Sequence, residues 1–123
     1  MTRHILYRHG DGWSSEHPFP ALDVVELVDG YLVLVELAGM EPGEVEVTVH
    51  QRRLIIAGDR RPALPSGASK LLRMEMTHGP FRRELPLPVD CDAEAVSARW
   101  KHGLLMIEIP RRAYHGSVDI EDR

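Results

Sequence analysis

Ala98-Arg99-Trp100-Lys101-His102-Gly103-Leu104-Leu105, continued by Met106-Ile107-Glu108-Ile109 and closed by Pro110, reads as a β-hairpin. Val96 to Trp100 supplies one strand, Lys101-His102-Gly103 the turn, and Leu104 to Ile109 the return. Gly103 stands where a tight hairpin asks for positive φ, a conformation that costs most side chains dearly. Pro110 has no N–H to give to a ladder and so ends the second strand.

The same period of two runs upstream. Leu22 to Leu27 reads as a strand, Asp29-Gly30 as a two-residue turn, and Tyr31 to Leu37 as the return. In that return Tyr31, Val33, Val35 and Leu37 share one face while Leu32 and Leu34 make the other apolar too, the pattern of a strand covered on both sides. Glu44 to Val49 alternates cleanly, with Val45, Val47 and Val49 inward, and His50-Gln51-Arg52 turns the chain into Arg53 to Ala57. Phe81 to Leu87 is a further strand, placed at a sheet edge by Pro86 and Pro88. Between them, Gly58 to Gly79 is a long loop in which Lys70 to Met76 has the composition of a short strand. Asp92 is positioned to cap one helical turn. Short turns between neighbouring strands predict an all-β antiparallel sheet or sandwich and argue against βαβ units.

Composition narrows the function classes. A chain of 123 residues is one domain's worth, with 43% hydrophobic and 28% charged residues, ordinary globular values. Its 15 Lys and Arg against 19 Asp and Glu give a formal charge of -4, which argues against nucleic acid as a partner. No apolar run approaches the roughly 18 residues a membrane span needs, so no membrane partner is expected and a cytoplasmic location is the default. Cys91 is the single cysteine and asks for no oxidising compartment.

Chemistry-bearing motifs are sparse. Gly67-Ala68-Ser69-Lys70 lacks the spacing of a phosphate loop. The seven histidines form no H-x-x-x-H pair, so solvated turn positions explain them better than a metal does. Cys91, flanked by Asp90 and Asp92, is a poor nucleophile. No enzyme, catalytic residue, cofactor or metal is therefore expected. The tail offers one sharp feature: Val118-Asp119-Ile120 puts two aliphatic side chains on one face of a short extended segment, the form that seats in pockets beside a sheet edge.

In order along the chain, several segments resemble the alpha-crystallin domain of small heat-shock proteins. Pro20-Ala21-Leu22-Asp23-Val24-Val25-Glu26 is similar to the family's opening strand. Glu36-Leu37-Ala38-Gly39-Met40 resembles its Leu-Pro-Gly loop, with Ala38 in place of proline, and Leu54-Ile55-Ile56-Ala57-Gly58-Asp59-Arg60 its strand closing on Gly-Glu-Arg. Gly79-Pro80-Phe81-Arg82-Arg83 is similar to its Gly-x-Phe-x-Arg segment. The Ala98, Gly103, Leu104, Leu105 hairpin and the Val118-x-Ile120 tail follow in the family's order.

The resemblance implies an immunoglobulin-like sandwich over residues 19–110, an arm over 1–18 and a C-terminal extension over 111–123. It implies an ATP-independent holdase that captures unfolding clients, working as a dimer and a larger homo-oligomer. A dimer contact falls at Leu71, Leu72, Arg73 and Met74, with Arg83 on the family's interface arginine. The tail docks between the strands carrying Val45, Val47, Val49 and Val96, Ala98, Trp100. The arm is short for the family, which places more of the larger assembly on the tail. The competing expectation is a CS-type co-chaperone or adaptor that binds a folded partner.

Overall fold

The computed structural model describes residues 18–113 and residue 120, and in it two antiparallel sheets are built from strands whose side chains alternate between core and solvent. In chain order the strands are β1 (Leu22–Leu27), β2 (Gly30–Glu36), β3 (Val45–His50), β4 (Arg53–Arg60), β5 (Gly79–Pro86), β6 (Ser97–Lys101) and β7 (Leu104–Pro110). One sheet runs β1-β2-β7-β6 and the other β3-β4-β5. This is the expected sandwich.

The core is what period-two patterning dictates. Val33, Val35 and Leu37 from the second strand and its end meet Leu105, Ile107 and Ile109 of β7, and across the sandwich Leu54, Ile56 and Phe81 face them. Each of these side chains is at most 7% exposed. Fully burying one such side chain is worth about 1.5–3 kcal/mol, so the facing rows hold the two sheets together.

The turns show how local chemistry sets register. His102 (φ 55) and Gly103 (φ 77) form a two-residue hairpin turn, one residue tighter than the three expected. Gln51 (φ 51) and Arg52 (φ 59) adopt the same left-handed geometry without a glycine. Tertiary contacts hold them there. The Arg52 carbonyl accepts the Leu87 N–H at 2.9 Å, and its guanidinium donates to the Pro88 carbonyl at 2.7 Å.

Several expectations are corrected. The first turn is Val28-Asp29, and Gly30 instead opens β2, because a Cβ there would lie 2.4 Å from the Ile109 carbonyl oxygen of the neighbouring strand. Glu44 belongs to a single 3-10 turn, Pro42–Glu44, in which its Oε1 accepts the Glu41 N–H at 2.7 Å. Val96 precedes β6 and does not start it. Asp92 accepts the Glu94 N–H through Oδ1 at 3.1 Å and the Ala95 N–H through its carbonyl at 3.1 Å, but the turn does not propagate into a helix. Lys70 to Met76 is not a strand: among the described residues no neighbouring strand offers it a ladder. Leu32 and Leu34 are half-buried rather than covered, because among the described residues no third layer lies over their side of the four-stranded sheet.

Candidate functional site

β3 and β6 are edge strands, one in each sheet, and the contacts of β5 show that they share an edge of the sandwich. Phe81 of β5 meets Phe19 edge-on, with ring centroids 5.5 Å apart, and Arg83 Nη1 donates to the Pro20 carbonyl at 2.6 Å. Both partners lie where the chain approaches β1, so β5 sits on the β1 side and β3, at the opposite edge of its sheet, sits on the β6 side.

The inward faces of those two strands are incompletely covered. Register puts Val45, Val47 and Val49 in line with buried Leu54 and Ile56, and Ala98 and Trp100 in line with buried Leu105 and Ile107. Yet Val45, Val47, Val96 and Trp100 are only half-buried, Val49 is 36% exposed, and Ala98 is exposed. Core rows that end in partly exposed apolar side chains on both edge strands leave an apolar strip along that side of the sandwich. Gly103, Leu104 and Leu105 of the hairpin stand beside it: Gly103 packs against Ala38, at 3.2 Å from where its Cβ would be, and its carbonyl accepts the Leu37 N–H at 2.9 Å. This fixes the position of β6.

The second candidate region comprises the loop between β4 and β5 and Arg83 of β5. Leu71, Leu72 and Met74 are 46%, 89% and 57% exposed, and Arg73 pairs only locally, with Glu75 at 3.0 Å. Arg83, half-buried, spends its hydrogen bond on Pro20 of its own chain, and burial lowers its pKa from the ordinary value. Val118 falls outside the described residues, as do residues 1–17 of the arm; Ile120 is 93% exposed.

Sequence reading missed the densest polar constellation, which surrounds Arg111. Its Nε donates to Asp90 Oδ2 at 2.9 Å, Nη2 to Glu26 Oε2 at 2.6 Å, and Nη1 to the carbonyls of Leu27, at 2.8 Å, and Val28. The guanidinium also lies 5.1 Å from the centroid of the Tyr31 ring, whose hydroxyl donates to Asp90 Oδ1 at 3.0 Å. Hydrogen bonds first from Arg111 and then from Tyr31 hold the Asp90 carboxyl below its usual range. The bond to Asp90 chiefly raises the Tyr31 phenol. The Arg111 N–H donates to Asp29 and the Arg112 N–H to Asp90, so the root of the tail is pinned to the β1–β2 turn. Arg111, one of two arginines after Pro110, gives no sequence signal of its own; its side-chain partners lie 21 to 85 positions away.

Among the described residues no three His, Cys, Asp or Glu side chains gather as a metal site would require, and no helix is long and apolar enough to cross a membrane. A profile described as the Hsp20/alpha crystallin family matches residues 23–120. A 17.8 kDa class II heat shock protein of Zea mays is 33% identical over 90 residues, covering 72% of this chain and 55% of its own. Small heat shock protein C2 of Rickettsia felis is 28% identical over 108 residues, covering 88% and 70%. The chain thus spans little more than half the length of the plant relative. Among solved structures, a small heat-shock protein from Xylella fastidiosa superposes with a TM-score of 0.72 at 30% identity, over 84% of this chain and 94% of that one. Heat shock protein 16.0 from Schizosaccharomyces pombe gives 0.68 at 26% identity, over 89% and 87%.

Proposed function

The chain belongs to the Hsp20/alpha-crystallin family, and from that premise we propose that it is an ATP-independent holdase that binds unfolding proteins and prevents their aggregation. The observation that carries this reading is the apolar strip along the β3 and β6 edges, together with a tail bearing Val118 and Ile120 at the spacing that fills two adjacent pockets. A second copy's tail seated there covers the strip and links subunits. Release of the tail uncovers it for an unfolded segment of a client.

The dimer unit is assigned to the exposed Leu71, Leu72, Arg73 and Met74, which find in a partner the strand neighbour they lack in their own chain. The solvent-side edge of β1, unpaired within its sheet, is the available ladder. Arg83 lies next to the chain's approach to that edge. The activity is placed in the cytoplasm, with residues 19–110 as the working domain between an arm (1–18) and an extension (111–123).

Light scattering on the wild type and on Val118→Ser/Ile120→Ser, beside a heated client without ATP, tests the proposal. The wild type should be a large assembly that suppresses client scattering, and the double variant should fall to dimers. A monomer that leaves client aggregation unchanged would overturn the reading. Deleting Lys70 to Met76 should give monomers; a surviving dimer would move the interface elsewhere.

A further inference from the structure

The outward face of the four-stranded sheet is ordered by charge as well as by hydropathy. Register lays its side chains in rows across the strands. One row reads Asp23 on β1, Leu34 on β2, Met106 on β7 and Arg99 on β6. The next holds Glu36, Leu104 and Lys101 on β2, β7 and β6. Leu34, Leu104 and Met106 are half-buried, and the four charged residues are exposed. The face is therefore an apolar stripe with carboxylates toward its β1 side and cations along its β6 side.

These charges do not meet within one chain. β1 and β6 stand three strand spacings apart, about 14 Å at about 4.8 Å each. Arg99 reaches only Glu108 on the adjoining strand, at 3.3 Å, a surface pair of small worth. Among the described residues no cation pairs with Asp23 or Glu36.

They do meet across a two-fold axis. Half a turn about a line along the strands, between β2 and β7, carries β1 of a second copy over β6. Asp23 then faces the second copy's Arg99, Leu34 faces its Met106, and each contact occurs twice. Arg99 has donors enough to keep Glu108 and take Asp23 of the other copy as well. A depression of about 260 Å³ beside Asp23 and Glu36, walled by Leu34 and Leu104, lies where the same rotation brings Lys101, stem against the leucines and ammonium at the carboxylates. An axis across the strands would set acidic side on acidic side, so the charges select one arrangement.

We propose that this face is a two-fold interface between copies of this chain, the two sheets packed face to face with their strands aligned. The assignment does not rest on the holdase reading. It uses neither the Lys70 to Met76 loop nor the strip along the β3 and β6 edges.

The test is a link between two full-length chains. Chains carrying Leu34→Cys and Met106→Cys are co-expressed and treated with a short bis-maleimide; Cys91, fully buried, is left in place. The expected product joins residue 34 of one chain to residue 106 of the other, located by mass spectrometry. Chains carrying Thr48→Cys, on the outer face of the other sheet, should stay unlinked. Asp23→Arg on both chains should abolish the 34–106 link, as should Arg99→Asp on both. Asp23→Arg on one chain with Arg99→Asp on the other should restore it, because each altered charge then meets its opposite. A link that ignores these charges, fails to return in the mixed pair, or forms equally at Thr48→Cys would overturn the proposal. Thiols shielded in a single chain would give the face to the chain's own arm, and reactive but unlinked thiols would leave it to water; either overturns the interface.

Discussion

On the three-stranded sheet the side chains that point outward are mostly polar: Glu46, Thr48 and His50 on β3, Arg53 and Asp59 on β4, Arg82 and Glu84 on β5, around Ile55 and Ala57 of the central strand. Glu84 stands between two cations, 3.6 Å from Arg53 and 3.4 Å from Arg82. On the four-stranded sheet the equivalent positions carry Val25, Leu27, Leu32, Leu34, Leu104 and Met106, with Asp23 and Glu36 beside them and an Arg99–Glu108 pair, Ser97 and Lys101 toward β6. Both sheets obey the same period of two and contribute equally apolar rows to one core. Alternation therefore specifies the inner face of a sheet, while the outer face records what else the sheet must meet.

The comparison presumes that the inner faces are energetically one unit. Leu37→Ala and Leu54→Ala, one from each side of the core and both fully buried, should each cost about 2–5 kcal/mol in urea denaturation. A loss confined to one of them would mean that the sheets unfold separately. The outer faces sharpen the contrast at lower cost. Leu32→Thr/Leu34→Thr should cost about 1 kcal/mol, as partly exposed positions do, and a much larger loss would assign that face to the core. In the opposite direction, Thr48→Leu/Arg82→Leu should leave stability within about 1 kcal/mol and raise hydrophobic-dye binding. An unchanged dye signal would mean that the polar outer face is not what keeps that sheet free of apolar contacts.

The smallest effect concerns the Arg111 cluster that bridges the ends of the apolar-faced sheet. Asp90 is ionised more readily in the folded chain than in the unfolded one, so the cluster's contribution is complete above the ordinary carboxylate range. It is lost as pH falls through the lowered folded value. A carbon-detected NMR titration should place Asp90 below a free aspartate, and Arg111→Met should move it upward. Wild type and variant should differ in stability near neutral pH and converge in strong acid. An unmoved Asp90 titration would show that Tyr31, not Arg111, sets its acidity.

Much of this architecture was legible because it rests on local chemistry. Gly103 signalled a left-handed turn, and Val33, Val35, Leu105 and Ile107 signalled a core row. What escaped depends on distance. Leu32 and Leu34 carry a doubly buried pattern, but whether a layer covers them is decided by residues elsewhere. Gly30 read as a turn glycine, whereas its need comes from the Ile109 carbonyl on a strand far along the chain. Lys70 to Met76 has strand composition, yet a strand exists only beside another. The strands carrying Val45, Val47, Val49 and Val96, Ala98, Trp100 were legible as apolar edges; that the two edges lie on one side of the sandwich follows only from the Phe81–Phe19 and Arg83–Pro20 contacts.

Pinning Arg111 and the Arg112 N–H turns the extension into a tether with a fixed origin. Ala113-Tyr114-His115-Gly116-Ser117 then separates that origin from Val118, six steps from Arg112 and a contour of about 21 Å at about 3.5 Å per step. Any groove this tail serves must lie inside a sphere of that radius, where a short tether holds its end at millimolar local concentration; beyond it, that concentration is zero. On the proposed role of the tail, the hydrogen bonds around one arginine thereby set the largest spacing at which it can link two subunits.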